Sequence, residues 1–108
     1  MKLWQQSCKL IKAETLPLDD ETMRILLSEI PRWSVKGNML IREFRFRDFR
    51  EAMDFVNNTA DIANAENHHP YIEISYSEVR LTLTTHKIKN LSLNDFIIAA
   101  KIDRIIDR

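Results

Sequence analysis

The chain has 108 residues, a length at which one domain can bury a hydrophobic core unaided, and we expect residues 1–108 to form a single domain. Its sixteen basic and sixteen acidic residues cancel, which argues against a nucleic-acid-binding protein, whose net charge would be strongly positive. A single cysteine excludes an intrachain disulfide, and no segment resembles a signal peptide or a membrane span of about 20 apolar residues, so we expect a cytoplasmic protein.

The first predicted element is a helix that follows an irregular N-terminal segment, residues 1–17, ending at Pro17. Asp19 or Asp20 provides the N-cap, because an aspartate side chain accepts hydrogen bonds from the free backbone N–H groups of the first turn. Pro31 ends the helix. The apolar stripe has the helical spacing i, i+3, i+4, i+7 and consists of Met23, Leu26, Leu27 and Ile30.

A β-hairpin and a second helix are predicted next. Residues 33–35 and 39–46 form the two strands, and Gly37 between them supplies the positive φ that a tight turn requires. Arginines in this region alternate with acidic residues, which indicates a solvated face; they are Arg42, Arg45, Arg47 and Arg50. Asp48 caps the second helix. Its predicted buried stripe consists of Phe49, Ala52, Met53, Val56, Ala60 and Ala63.

Two half-buried antiparallel strands and a last helix complete the pattern. Apolar and polar residues alternate on both sides of a turn near Ser77, with Ile72, Ile74, Tyr76, Val79, Leu81 and Leu83 at the apolar positions. Ser92 resembles the N-cap of the last helix, and Asp95 in its first turn favours the helix dipole. Two apolar stripes follow, one of Leu93, Phe96, Ile97 and Ala100, the other of Ile98, Ile102 and Ile105. A helix with two apolar faces is either deeply buried or covered by another subunit.

The order of elements is therefore α-β-β-α-β-β-α. It predicts an α+β protein, a two-layer sandwich in which a four-stranded antiparallel sheet has three helices packed on one face. The other face of the sheet is expected to stay more open.

All three histidines of the chain lie in one short window. His68 and His69 are adjacent and precede Pro70, and His86 follows the predicted fourth strand. Imidazole exchanges protons near neutral pH, so the window indicates proton chemistry or metal binding, against the alternative of surface histidines at a turn. Three histidines can hold zinc, but adjacent residues of an extended segment point apart, which favours proton chemistry and no metal.

A longer stretch around the histidines resembles the signature of the pterin-4a-carbinolamine dehydratases. From Glu66 to Asp103 it reads ENHHPYIEISYSEVRLTLTTHKIKNLSLNDFIIAAKID, and the resemblance extends over residues 20–106. It implies the same α+β fold, assembly as a homodimer or homotetramer, and dehydration of 4a-hydroxytetrahydropterin by histidine acid/base catalysis in tetrahydrobiopterin recycling. The pterin is then the substrate, an aromatic amino acid hydroxylase supplies it, and no cofactor is implied.

The resemblance also implies roles for individual residues. His68, His69 and His86 match the three motif histidines and are expected to be catalytic, with His68 and His86 as the acid/base pair and His69 also binding substrate. Pro70 and Asp95 are expected to contact the substrate, with helix capping as an equal alternative for Asp95.

One position departs from the family pattern. Relatives usually carry a charged residue four positions before the first histidine, where this chain has Asn64. If the second helix runs to about Glu66, Asn64 lies one turn before His68 and stabilises its charged form less than a carboxylate would. The alternative is that Asn64 only helps to end the helix.

A second class of function is compatible with the same resemblance. Some relatives act as dimerisation cofactors or assembly factors, so a non-catalytic binding module on the same fold is the alternative to an enzyme. Retention of all three histidines favours the enzyme.

Overall fold

The computed structural model describes residues 1–107 and contains the three helices and four strands that the sequence predicts. The helices are α1 (Asp20–Leu27), α2 (Phe49–Glu66) and α3 (Leu93–Ile106). The strands are β1 (Ser34–Lys36), β2 (Met39–Arg45), β3 (Tyr71–Ser75) and β4 (Glu78–Leu83). Two 3₁₀ turns, Leu3–Gln5 and His86–Ile88, lie before α1 and after β4. Within residues 1–107, no helix has the length and apolar character to cross a membrane.

The four strands form one antiparallel sheet in the order β1-β2-β4-β3. The two central strands bury Leu40, Phe44, Val79, Leu81 and Leu83 in the core beneath the helices. The predicted α+β sandwich is therefore confirmed. Because β3 and β4 are antiparallel neighbours, the start of β3 and the end of β4 lie side by side at the same end of the sheet.

The helices begin at the side-chain caps that the sequence predicts. Asp19 and Asp48 each accept a hydrogen bond from the backbone N–H three residues further on, at 2.7 and 2.9 Å. At the start of α3 the Asp95 carboxylate accepts the backbone N–H of Ser92 at 2.9 Å, which is one half of a capping box. These bonds satisfy backbone donors that the first helical turn leaves free.

The third strand is an exposed edge strand, which corrects the prediction of a half-buried one. The predicted alternation of apolar and polar residues is present, but Ile72 and Ile74 remain exposed because both faces of β3 are open to solvent. Tyr76 lies in the following turn with φ of 52°. Phe49 is half exposed, so its place in the predicted stripe of α2 is wrong, and Phe55 is buried there instead.

The last helix is buried on nearly all sides within a single chain. In the second predicted stripe Ile98 and Ile102 are both 0% exposed, and Ile105 is half-buried. The N-terminal segment reaches this helix, because Leu3 is buried in the same core and Lys101 Nζ donates to the Trp4 carbonyl at 3.0 Å. Deep burial, rather than cover by another subunit, therefore explains the two stripes.

Arg42 is buried, which corrects the prediction that it shares a solvated face with its neighbouring arginines. Its guanidinium donates to Asp103 at 2.6 Å and to Asp107 at 2.9 Å. Trp33 Nε1 donates to the same Asp103 oxygen at 2.8 Å. The hydrogen bond from Arg42 lowers the pKa of Asp107, whereas burial raises the pKa of Asp103. This ion-paired group joins β2 to the end of α3.

Candidate active site

The three histidines line one open cleft with a volume of about 630 Å³. Five parts of the chain form its walls: the end of α2 with the loop that follows, the start of β3, residues 84–87 after β4, Asn94 at the start of α3, and the N-terminal residues 8–11. Tyr71 at the start of β3 pairs with Thr82 near the end of β4, which brings both histidine motifs to the same end of the sheet. The histidine window of the sequence is therefore a single site in space.

Asn67 ends α2 and directs the next residues into the cleft. Its φ of 53° and ψ of 42° lie in the left-handed region, which asparagine adopts more readily than most residues. The backbone N–H groups of Asn67 and His68 both donate to the Ala63 carbonyl, so the helix ends with that acceptor satisfied. His68 and His69 consequently follow directly from a rigid helix terminus.

The buried carboxylate of Asp95 holds His68 in place. His68 Nε2 lies 2.6 Å from Asp95 Oδ1, and the two side chains are 13% and 0% exposed. Asp95 Oδ2 accepts the Thr85 hydroxyl at 2.7 Å and the Ser92 backbone N–H at 2.9 Å. Since a carboxylate oxygen accepts hydrogen bonds, Nε2 carries the proton of this bond, and among residues 1–107 no side chain or backbone group bonds to Nδ1 of His68. Because both its oxygens are used behind His68, Asp95 does not line the cleft.

His86 has a different partner, the hydroxyl of Tyr71. The Tyr71 oxygen lies 3.0 Å from His86 Nε2, and the two rings meet edge to face with centroids 5.5 Å apart. Both side chains are exposed at the cleft. Thr85, the residue before His86, is buried and donates to Asp95, the carboxylate that bonds to His68. Two neighbouring residues after β4 therefore contribute to the surroundings of both histidines.

His69 is exposed and contacts Asn64. Its Nε2 lies 3.0 Å from Asn64 Oδ1. This geometry corrects the prediction that Asn64 addresses His68: the helix does extend past this position, but His68 turns inward to Asp95 and His69 occupies the place beside Asn64. Pro70 is half-buried and also lines the cleft.

The cleft offers neither a reactive thiol nor a cluster of metal ligands. Burial, assisted by the nearby Glu66 carboxylate, raises the pKa of Cys8 to about 12. A thiol in this state is a poor nucleophile at neutral pH. Across residues 1–107, no three His, Cys, Asp or Glu side chains are arranged to hold a metal ion.

Sequence reasoning misses two hydrogen bonds of the site, that of Thr85 to Asp95 behind His68 and that of Tyr71 to His86. A signal for Thr85 exists, because the alternation of Val79, Leu81 and Leu83 continues to position 85 and places a hydroxyl where the core lies. No comparable signal exists for Tyr71, because its contact with His86 depends on the register of β3 against β4.

A sequence model described as pterin 4 alpha carbinolamine dehydratase matches residues 16–105. The chain belongs to this family. A relative in Rubrobacter xylanophilus, provisionally named a pterin-4-alpha-carbinolamine dehydratase, is 41% identical over 105 residues, which are 96% of this chain and 98% of the relative. One in Chromobacterium violaceum with the same provisional name is 40% identical over 108 residues, covering 100% and 99% of the two chains. The resemblance found in the sequence is confirmed.

Two solved structures share the carbinolamine dehydratase fold. The structure of a protein described as a transcriptional coactivator/pterin dehydratase from Brucella melitensis has a TM-score of 0.79 and 28% identity, covering 83% of this chain and 98% of that one. A pterin dehydratase-like protein described as a RuBisCO assembly factor in the alpha-carboxysome has a TM-score of 0.57 and 23% identity, covering 68% and 86%. At that identity the second likeness shows the fold alone.

Proposed function

We propose that this protein is a lyase that removes water from 4a-hydroxytetrahydropterin and releases the quinonoid dihydropterin. The observation that carries the proposal is the His68–Asp95 pair in a cleft that His69 and His86 also line. Family membership supports the substrate class, since the matched family is that of the carbinolamine dehydratases. The paired imidazole supports proton transfer as the chemistry.

The proposed reaction needs one proton donor and one proton acceptor. Hydroxide is a poor leaving group, so a general acid protonates the oxygen on C4a as the C4a–O bond breaks. The N5 lone pair then forms the double bond to C4a, and a general base takes the proton from N5. Each positioned group contributes about 10²–10⁴-fold to the rate. The dehydration involves no oxidation or reduction, and the proposal includes no cofactor and no metal.

His68 is best suited to be the general acid. The hydrogen bond to the Asp95 carboxylate fixes the orientation of the His68 ring, and a positioned imidazole can deliver a proton to the leaving oxygen. Proton transfer would occur at Nδ1, since Asp95 occupies Nε2. Asp95 is therefore proposed as a positioning residue for His68 rather than as a substrate contact.

His86 is proposed as the general base, and His69 and Pro70 as substrate-binding residues. The hydrogen-bond partner of His86 is the Tyr71 hydroxyl, and within residues 1–107 no Asp or Glu carboxylate bonds to its ring. His69 and Pro70 lie on the same cleft wall and can contact the pterin ring.

The substrate chemistry also suggests a metabolic context and an assembly. A hydroxyl on C4a arises when a pterin-dependent aromatic amino acid hydroxylase transfers oxygen, so such an enzyme is the proposed source of the substrate, and recycling of tetrahydrobiopterin is the proposed purpose. A homodimer or homotetramer is proposed as well. The exposed edge strand β3, with its apolar Ile72 and Ile74, supports association because unpaired strand edges favour pairing with another chain.

The deciding experiment is a stopped-flow assay with chemically generated 4a-hydroxytetrahydropterin. The purified protein is expected to accelerate dehydration in proportion to its concentration, and a chelator such as EDTA is expected to leave the rate unchanged. A rate equal to the uncatalysed one at saturating protein would refute the lyase proposal.

A binding module is the second candidate function. The description of the Brucella melitensis protein as a transcriptional coactivator/pterin dehydratase motivates it, and the exposed edge of β3 supports it. The two candidates differ in what the histidines do: a binding module would keep its partner when His68 is replaced, whereas the lyase would lose its activity. The stopped-flow assay therefore separates them.

A further inference from the structure

The N-terminal residues 8–11 form one wall of the cleft, and we call them the strap. They line the same cavity as the three histidines, although they lie far earlier in the chain than His68, the first of them. The family match begins only at residue 16, so the strap lies outside the part of the chain that defines the family. The Rubrobacter and Chromobacterium relatives align over 96% and 100% of this chain, so the alignments extend beyond the residues that the family model matches.

Two side chains hold the strap against the cleft. Buried Asn94 makes a reciprocal pair of hydrogen bonds with the backbone of Lys9: its Oδ1 accepts the Lys9 N–H at 2.9 Å, and its Nδ2 donates to the Lys9 carbonyl at 2.7 Å. Glu66 Oε1 accepts the backbone N–H of Cys8 at 2.8 Å. Asn94 precedes Asp95, and Glu66 ends α2 just before the histidine loop, so the elements that build the histidine site also fix the strap.

The strap presents apolar side chains to the cleft. Leu10 is 83% exposed and Ile11 is half-buried, and both line the cavity. An exposed leucine gains little from the folded chain alone, but it loses contact with water when a ligand fills the cleft beside it. A backbone already fixed by Asn94 does not have to be ordered when the ligand binds.

We infer that the strap is part of the substrate-binding site, with Leu10 and Ile11 packing on the ligand and Asn94 acting as a positioning residue. The inference rests on the proposed function and makes it more specific. The ligand class is a flat bicyclic heterocycle, whose ring face offers apolar area to two aliphatic side chains, while the histidines act at its reacting edge. The strap then determines substrate affinity and leaves the proton-transfer steps to the histidines.

The chain contains a matched pair of leucines for the test. Leu10 and Leu16 are 83% and 84% exposed and both lie before α1, but only Leu10 lines the cleft. Leu10→Ala is expected to raise KM for the carbinolamine, and Kd for a stable 7,8-dihydropterin, about fivefold at unchanged kcat. The reason is that alanine loses part of the apolar area that Leu10 buries against the bound ligand. Leu16→Ala is expected to match the wild type in all three.

Asn94→Ala provides a second, independent test. It removes both bonds to Lys9, so it is expected to raise KM at least as much as Leu10→Ala and to speed alkylation of Cys8, which lies half-buried in the strap. If this variant does not fold, the leucine pair still decides the matter, because neither exposed leucine supports the core.

The outcomes separate this inference from the proposed function. An active wild type with identical KM values for Leu10→Ala and Leu16→Ala would overturn the strap inference and leave the lyase intact. Faster alkylation of Cys8 in Asn94→Ala at unchanged KM would do the same. A wild type that neither dehydrates the carbinolamine nor binds a dihydropterin would overturn the lyase proposal and the inference with it.

Discussion

Replacing Asp95 with asparagine tests whether the buried carboxylate sets the protonation of His68. The substitution preserves shape but exchanges one carboxylate oxygen for an NH₂ group. Ser92 N–H and the Thr85 hydroxyl both donate to Oδ2, so the oxygen of the new amide must stay on that side. The NH₂ group then faces His68 Nε2, at the position where Oδ1 lies 2.6 Å away.

This arrangement reverses the tautomer of His68. An NH₂ donor requires Nε2 to accept, so the neutral ring carries its proton on Nδ1, and the imidazolium form loses its counter-charge. Because proton transfer is proposed at Nδ1 of an imidazolium, kcat is expected to fall by about 100-fold or more. The free energy of unfolding is expected to fall by about 1–2 kcal/mol, because the hydrogen bonds remain but lose their charge, and a hydrogen bond to a charged group contributes about 1.5–3 kcal/mol against about 0.5–1.5 for a neutral one.

Stopped-flow kinetics and ¹⁵N NMR of the imidazole measure the two effects. The control is Asp103→Asn, on the same helix and also hydrogen-bonded, but to Arg42 and Trp33 away from the cleft. It is expected to lower stability while kcat stays near the wild-type value. Wild-type kcat in Asp95→Asn, or an unchanged His68 tautomer, would refute the reasoning.

Three further predictions follow from the positions of the side chains. His68→Ala and His86→Ala are each expected to lower kcat about 10-fold or more with the fold intact. If the two histidines act together, kcat of the double variant is expected to fall by less than the product of the two single effects. Wild-type kcat in either single variant would show that the replaced histidine is not catalytic. Asn64→Glu is expected to move the NMR titration of His69 to higher pH, by a small amount because the pair is exposed, and to leave the titration of His68 unchanged. Coincident His69 curves in the two proteins would mean that the residue at position 64 does not influence His69. Ile98→Asp is expected to destabilise the fold by several kcal/mol in chemical denaturation, since the side chain is 0% exposed; a stably folded variant with a smaller assembly in sedimentation would instead place Ile98 at an interface.

The sequence by itself determines the local structure of this protein. Helix starts depend on bonds between residues three apart, and Asp19 and Asp48 make the bonds that their positions predict. The inward residues of β4 follow from their alternation, and the histidine window follows from the positions of the three histidines in the sequence. These features are predictable because the interactions that create them span only a few residues.

The tertiary structure alone decides which partner each side chain meets. His68 bonds to Asp95, 27 residues away, and not to Asn64 one turn before it, because α3 crosses behind the histidine loop. Arg42 is buried because α3 brings two carboxylates to it, although its neighbours in sequence indicate a solvated face. Such contacts depend on how helices and strands cross in space, and sequence periodicity gives the facing side of an element but not the element opposite it.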